Sequence, residues 1–244
     1  MMKNSKFRRI LLLLACAVLL VSLSVGATLA YLTSTDEVEN TFTVGDVQIE
    51  LDETNYDGVD QDNNNNKDEA RDKSNKYNLV PGVPCIKDPI VTVLKNSEPC
   101  YVRVKVIVDV SGCEGDEDDT VSNFKTWAGT FAANYILTDE IAGFNGTYWN
   151  ASEPVINTDA YTVTYILTYK SGDTNNIVGK SDKNTELKPV FTHIQAPYEL
   201  NNADIAKLAG MKINVVAEAI QAEGFKAEGT KTAEEMAWEA FEDN

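Results

Sequence analysis

The sequence predicts an all-β protein: an antiparallel two-sheet β-sandwich, jelly-roll or immunoglobulin-like, with a few short helices and a preceding N-terminal signal helix. Three observations predict it. Apolar and polar residues alternate with period two through several stretches, as sheets with one buried face require. Helical patterns do not alternate regularly with the strands, which argues against a βαβ fold. The 244 residues are 43% hydrophobic and 24% charged, enough to bury one core of moderate size.

At the N-terminus, Lys3, Lys6, Arg8 and Arg9 form a positive region ahead of the uncharged, mostly apolar run 10–25. That run is shorter than the roughly 20 residues a membrane span needs. A small-residue exit follows, with Thr28 and Ala30 at the −3 and −1 positions of a cut before Tyr31. The pattern reads as a signal peptide over residues 1–30, leaving 31–244 as a single exported domain. Contact with a membrane is then expected only through the uncleaved signal segment. Its removal takes four positive charges, moving the net charge from −17 to −21. So acidic a chain is repelled by phosphate backbones, which excludes nucleic acid as a partner. Cys85, Cys100 and Cys113 remain after cleavage. They allow three alternative single bridges, each leaving one thiol, and the spacing does not choose among them.

Strand patterns follow in order. In "VGDVQIEL", Val47, Ile49 and Leu51 alternate with Asp46, Gln48 and Glu50. "DPIVTVLKN" is a further candidate. In "YVRVKVIVDV", Val102, Val104, Val106, Val108 and Val110 line one face, and Arg103, Lys105 and Asp109 fall on the other. "AYTVTYILTYK" places Tyr161, Val163, Tyr165, Leu167 and Tyr169 opposite threonines. "LKPVFTHI" and "MKINVVAEAIQ" complete the set.

Helical signals are few. "ADIAKLAG" carries Asn202 as an N-cap and Gly210 as a C-terminal stop. In "TAEEMAWEAFED", Thr232 and Glu235 have capping-box spacing, which predicts a short helix at about 232–242. "VSNFKTWAGTFAANYI" puts Phe124, Trp127 and Phe131 on one helical face, interrupted by Gly129. The Asn/Asp-rich stretch 55–78 reads as a long loop, as does 170–186.

Enzyme chemistry finds little support. The one histidine, His193, alternates with Phe191 and reads as structural, since a zinc site needs several ligands in fixed geometry. HExxH, nucleophile-elbow and glycine-rich phosphate motifs are absent. One metal pattern stands out. Asp60, Asp62, Asn64 and Asp68 occupy positions 1, 3, 5 and 9 of a calcium loop, where alternate oxygen ligands converge on a hard cation. Position 12 is Arg71 where the closing bidentate carboxylate belongs, so calcium competes with a plain solvated loop. "NGT" at Asn145 and "NAS" at Asn150 match the glycosylation tripeptide, a pattern that arises often by chance.

The stretch "ATLAYLTSTDEVENTFTVGDVQIEL" resembles the N-terminal signature of the TasA and camelysin group of Gram-positive exported proteins: a small-residue exit, an aromatic start at Tyr31, an acidic stretch, Asn40-Thr41-Phe42, Gly45 and an alternating strand. "LVPGVPCIKDPIVTVLKNSEPCYVRVKVIV" and "INVVAEAIQAEGF", followed by the Trp238–Phe241 tail, are similar to later blocks of that group in the same order. The resemblance implies a jelly-roll-like sandwich and processing by a dedicated signal peptidase. It implies an extracellular structural role at the cell surface or in a biofilm matrix, with self or related matrix subunits as partners. It also implies assembly by donor-strand exchange, in which the freed N-terminus of one subunit completes the sheet of the next. Carried onto this chain, the donor is Tyr31 to Phe42, with Leu32, Val38 and Phe42 as apolar anchors. The protease activity attached to some camelysin-like members is not carried over, because no zinc-ligand set is recognisable. The rival expectations are a monomeric surface adhesin or ligand-binding module, calcium-stabilised, and a secreted hydrolase.

Overall fold

A computed structural model describes residues 33–37, 40–43, 47–57, 70–113, 129, 143–170, 172 and 175–242. The protein is mostly β, in antiparallel sheets with few helices. The strands are β1 (Thr33–Glu37), β2 (Asn40–Thr43), β3 (Ile49–Thr54), β4 (Arg71–Asp72), β5 (Cys85–Ile86), β6 (Ile90–Val93) and β7 (Cys100–Asp109). They continue with β8 (Trp149–Ala151), β9 (Val155–Asn157), β10 (Thr162–Tyr169), β11 (Thr185–Glu186), β12 (His193–Ile194) and β13 (Lys212–Gln221). Helix α1 (Asn202–Lys207) precedes β13 and α2 (Ala233–Glu242) follows it.

The largest sheet runs β2-β1-β13-β7-β10-β8, with β9 also on β10. A second runs β11-β6-β3-β4, and β12 pairs with β5. The long strands form because their sequences alternate. Opposed residues of an antiparallel pair share a face. Val102, Val104 and Val106 therefore stand beside Ala219, Ala217 and Val215 of β13, all inside the core. On the second sheet Ile49 pairs with Val93 and Leu51 with Val91, and these four join the same buried cluster. Burial of each such side chain contributes about 1.5–3 kcal/mol, so the paired valine rows of the two sheets supply much of the driving force. Trp149 fills the core near β10, its Nε1 donating to the Lys188 carbonyl at 3.0 Å.

Several expectations change. "LKPVFTHI" is a strand only at His193–Ile194, although Leu187, Val190 and Phe191 are buried; apolar burial there does not need ladder pairing. Within 55–78, Arg71–Asp72 form β4, because Glu53–Thr54 offer a free edge for pairing. Within 170–186, Val178 bridges Cys100, and Thr185–Glu186 form β11. The cap of α1 is Asn201, one residue earlier than expected, its side chain accepting from the amides of Ala203 and Asp204. At α2 the Thr232 and Glu235 side chains cap each other's amides reciprocally, and the Thr232 amide and hydroxyl, both donating to Oε2, lower the Glu235 carboxyl below its usual range. The signal segment and most of "VSNFKTWAGTFAANYI" lie outside the described residues.

Gly210 has φ +92°, a left-handed conformation that L side chains rarely adopt, and it lies against the Gly112 backbone. A methyl group on Gly112 would stand 2.9 Å from the Gly210 carbonyl oxygen. Replacing Gly210 with Ala is expected to destabilise the fold by about 2 kcal/mol or more, through backbone strain and the contact together. Chemical denaturation checks this, with Gly179→Ala as the control because its surroundings are open.

Candidate functional site

The N-terminal strands occupy one edge of the large sheet. β1 lies antiparallel along β13, from Thr33 opposite Ile220 to Glu37 opposite Val216. β2 pairs in turn with β1, Phe42 opposite Thr35. The expected donor is therefore not one extended strand: it contributes β1 and then a second strand running back beside it. β1 itself reads Thr-Ser-Thr-Asp-Glu and brings no apolar residue to the edge. Its ladder with β13 is built of main-chain hydrogen bonds, each contributing about 1 kcal/mol net. Among the proposed anchors, Phe42 falls in β2, while Tyr31, Leu32 and Val38 lie outside the described residues. So do the processing residues Thr28 and Ala30, and the calcium-loop residues Asp60, Asp62, Asn64 and Asp68.

Behind this edge lies a buried charged clamp. The β7 alternation points Arg103 away from the valine core, yet it is only 3% exposed, because α2 covers it. Its Nε donates to Glu218 Oε2 at 2.6 Å and its Nη1 to Glu242 Oε1 at 3.0 Å. The guanidinium lies 4.3 Å from the Trp238 ring centre and 5.3 Å from that of Phe241, a cation–π arrangement. Lys105 reaches the second Glu218 oxygen at 2.9 Å. Glu218 lies opposite Thr35 in the β1–β13 ladder, so the β13 residue paired with the middle of β1 is linked through Arg103 to β7 and α2. Around it Tyr101, Ile220, Ala222, Ala237 and Trp238 form a core separate from the main one. The alternation put Arg103 on the face opposite the valines, as found, and gave no sign of its burial. The available signal was the Trp238–Phe241 pair on an otherwise polar terminal helix.

The base of the Asn/Asp-rich stretch is closed. The Asn55 amide donates to the Ala70 carbonyl at 3.1 Å, and Arg71 pairs with Asp52 and, at 3.3 Å, with Asp88. Desolvation opposes the Arg71 charge, but these carboxylates hold its pKa above the usual arginine value. Glu53 and Lys87 form a second buried ion pair beside Tyr77, whose hydroxyl is pushed up by burial and by the Glu53 charge.

Cys85, Cys100 and Cys113 are buried thiols, and none of the three possible bridges is formed. Burial pushes Cys100 up to about 12, which makes it inert as a nucleophile. His193 sits half-buried in β12, its Nδ1 2.9 Å from the Thr192 hydroxyl. No group of three or more His, Cys, Asp or Glu among the described residues could hold a metal ion. No helix among them is long and apolar enough to cross a membrane. No family model, curated protein or solved structure matches the chain.

Removing one partner of a buried pair leaves an uncompensated charge and costs about 3–5 kcal/mol. Glu218→Ala is expected to lose stability on that scale. Lys105→Ala, at a side chain 27% exposed, is expected to lose under about 1 kcal/mol. Urea melts of the two variants check the contrast.

Proposed function

We propose that this is a non-enzymatic, exported structural protein of the cell surface or matrix that assembles by exchange of its N-terminal strand. The observation that carries the reading is the position of β1: a strand near the chain start, polar throughout, held along five residues of β13 and forming with the outer strand β2 one edge of the large sheet. A strand paired through a backbone ladder can be replaced by the same strand of another copy, which offers the same main-chain groups. In this reading the two larger sheets are the faces of a jelly-roll or immunoglobulin-like sandwich, and the shared valine core is its filling. The signal segment tethers β1 until cleavage before Tyr31 releases it. The resemblance to the TasA and camelysin group supports the same assignment.

Register offers the test. Ser34 lies opposite Ala219, and directly opposed residues in an antiparallel pair have Cα atoms about 4.5–5.5 Å apart, within disulfide range. Ser34→Cys with Ala219→Cys, oxidised, is expected to lock β1 in place and keep the protein monomeric. Reduction is expected to restore assembly, followed by size exclusion and electron microscopy. A chain starting at Tyr31 is expected to polymerise, and one starting near Phe42 to lose this ability. If both lengths stay monomeric over a wide concentration range, the proposal fails.

A second reading is a monomeric adhesin or ligand-binding module stabilised by calcium. The closed base of the stretch 58–69 favours it, since a held base reduces the entropy lost on binding. Calcium is then expected to raise the melting temperature of the wild type, and Asp60→Ala with Asp62→Ala to abolish the rise. An unchanged wild-type melt removes this reading.

A further inference from the structure

Three side chains from separate stretches meet beside the end of β3. Glu53 comes from β3, Asn75 follows β4, and Lys87 follows β5 directly. The Glu53 and Lys87 side chains are 9% and 5% exposed, with Lys87 Nζ 2.5 Å from Glu53 Oε2. The other carboxylate oxygen, Oε1, accepts from Asn75 Nδ2 at 3.0 Å and from the Tyr77 hydroxyl at 3.1 Å. One carboxylate thus bridges an amine and a carboxamide. The Asn75 side-chain oxygen accepts from the Tyr56 amide at 2.6 Å and the Asp57 amide at 3.4 Å. Tyr77 walls the site, its ring centre 5.1 Å from Lys87 Nζ, and stacks on Tyr56.

An ion pair alone explains Lys87 and Glu53. Asn75 Nδ2 also donates to the Thr54 carbonyl at 3.1 Å, so the carboxamide is fixed with its nitrogen on the same carboxylate as Lys87 and its oxygen on two backbone N–H groups. Those are the parts of an acyl transfer: a nucleophile, a proton carrier touching both nucleophile and leaving group, and donors placed where oxyanion charge develops.

We propose that Lys87 and Asn75 join through an intramolecular amide bond, with Glu53 as the catalytic residue. A proton passes from the Lys87 ammonium to Glu53, and the neutral Nζ attacks Asn75 Cγ. Negative charge gathers on Oδ1, where the Tyr56 and Asp57 amides stabilise it. Glu53 relays protons from Nζ to Nδ2, and the Cγ–Nδ2 bond breaks. Two protons in all move from Nζ to the departing nitrogen, which leaves as ammonium, and Glu53 ends as the carboxylate it began as. One C–N bond forms and one breaks, nothing is oxidised or reduced, and no co-reactant is needed. The product is a covalent staple between the exits of β4 and β5, in a protein whose Cys85, Cys100 and Cys113 form no disulfide. It does not rest on the assembly reading and holds whether or not the chain polymerises.

Intact mass spectrometry of the purified wild-type chain tests it, without requiring any variant to fold. The mass is expected to fall short of the sequence by one ammonia, and a digest to yield a branched peptide joining residues 75 and 87. Glu53→Gln, of equal size but without a carboxylate, and Asn75→Ala are each expected to restore the full mass and abolish the branched peptide. A folded wild type of full sequence mass with two separate linear peptides overturns the proposal. So does a branch at another residue, loss of ammonia without a branch, or a Glu53→Gln chain that still carries the bond.

Discussion

Everything in this fold is placed by the antiparallel ladder between β7 and β13. It runs through ten residue pairs, from Cys100 opposite Gln221 to Asp109 opposite Lys212. One face of the ladder carries the valine and alanine rows that fill the main core. The other carries Arg103, Lys105 and Glu218, on which α2 is seated. β10 extends it on one side and β1 on the other. A one-residue slip would send every valine outward and bury the charged row, so the hydrophobic pattern fixes the register strongly.

The buried charges follow from that placement. A carboxylate or guanidinium removed from water is tolerated only when paired and hydrogen-bonded. Arg103 meets the condition at Nε and Nη1 through Glu218 and Glu242, with Nη2 left without a hydrogen bond and the guanidinium against two aromatic rings, and Lys87 meets it through Glu53 and Tyr77. Each pair joins distant parts of the chain, the first drawing in the C-terminal helix and the second linking β3 to the turn after β5. These specific partners act beside apolar contacts, which for α2 are the small core around Trp238. β1 differs: its neighbours along β13 are themselves well fixed, while its own five residues contribute no apolar side chain.

The long strands were legible because period-two alternation is unambiguous over ten residues, and β7, β10 and β13 appear where the pattern placed them. Short elements were not. β4 and β11 are two-residue strands inside polar stretches, formed because a neighbour's edge was available, and no local pattern announces that. Phe191 and Val190 read as strand because they are apolar, but they are buried without a ladder. Arg103 illustrates the limit most clearly. The alternation assigned its face correctly, yet its burial depends on a helix more than a hundred residues later. The Glu53–Asn75–Lys87 cluster shares that character, since no spacing in the sequence brings a strand residue, a turn residue and a lysine after β5 to one carboxylate.

Assembly by strand exchange requires that the slot along β13 accept β1 as a replaceable strand. It is tested most directly by adding a synthetic peptide covering residues 31–43 to a chain that begins after residue 43. Amide hydrogen exchange is then followed at residues 216–220. One peptide is expected to bind per chain, with renewed protection confined to that edge of β13. A peptide that fails to bind, or an edge whose exchange is the same with and without it, would rule out strand replacement.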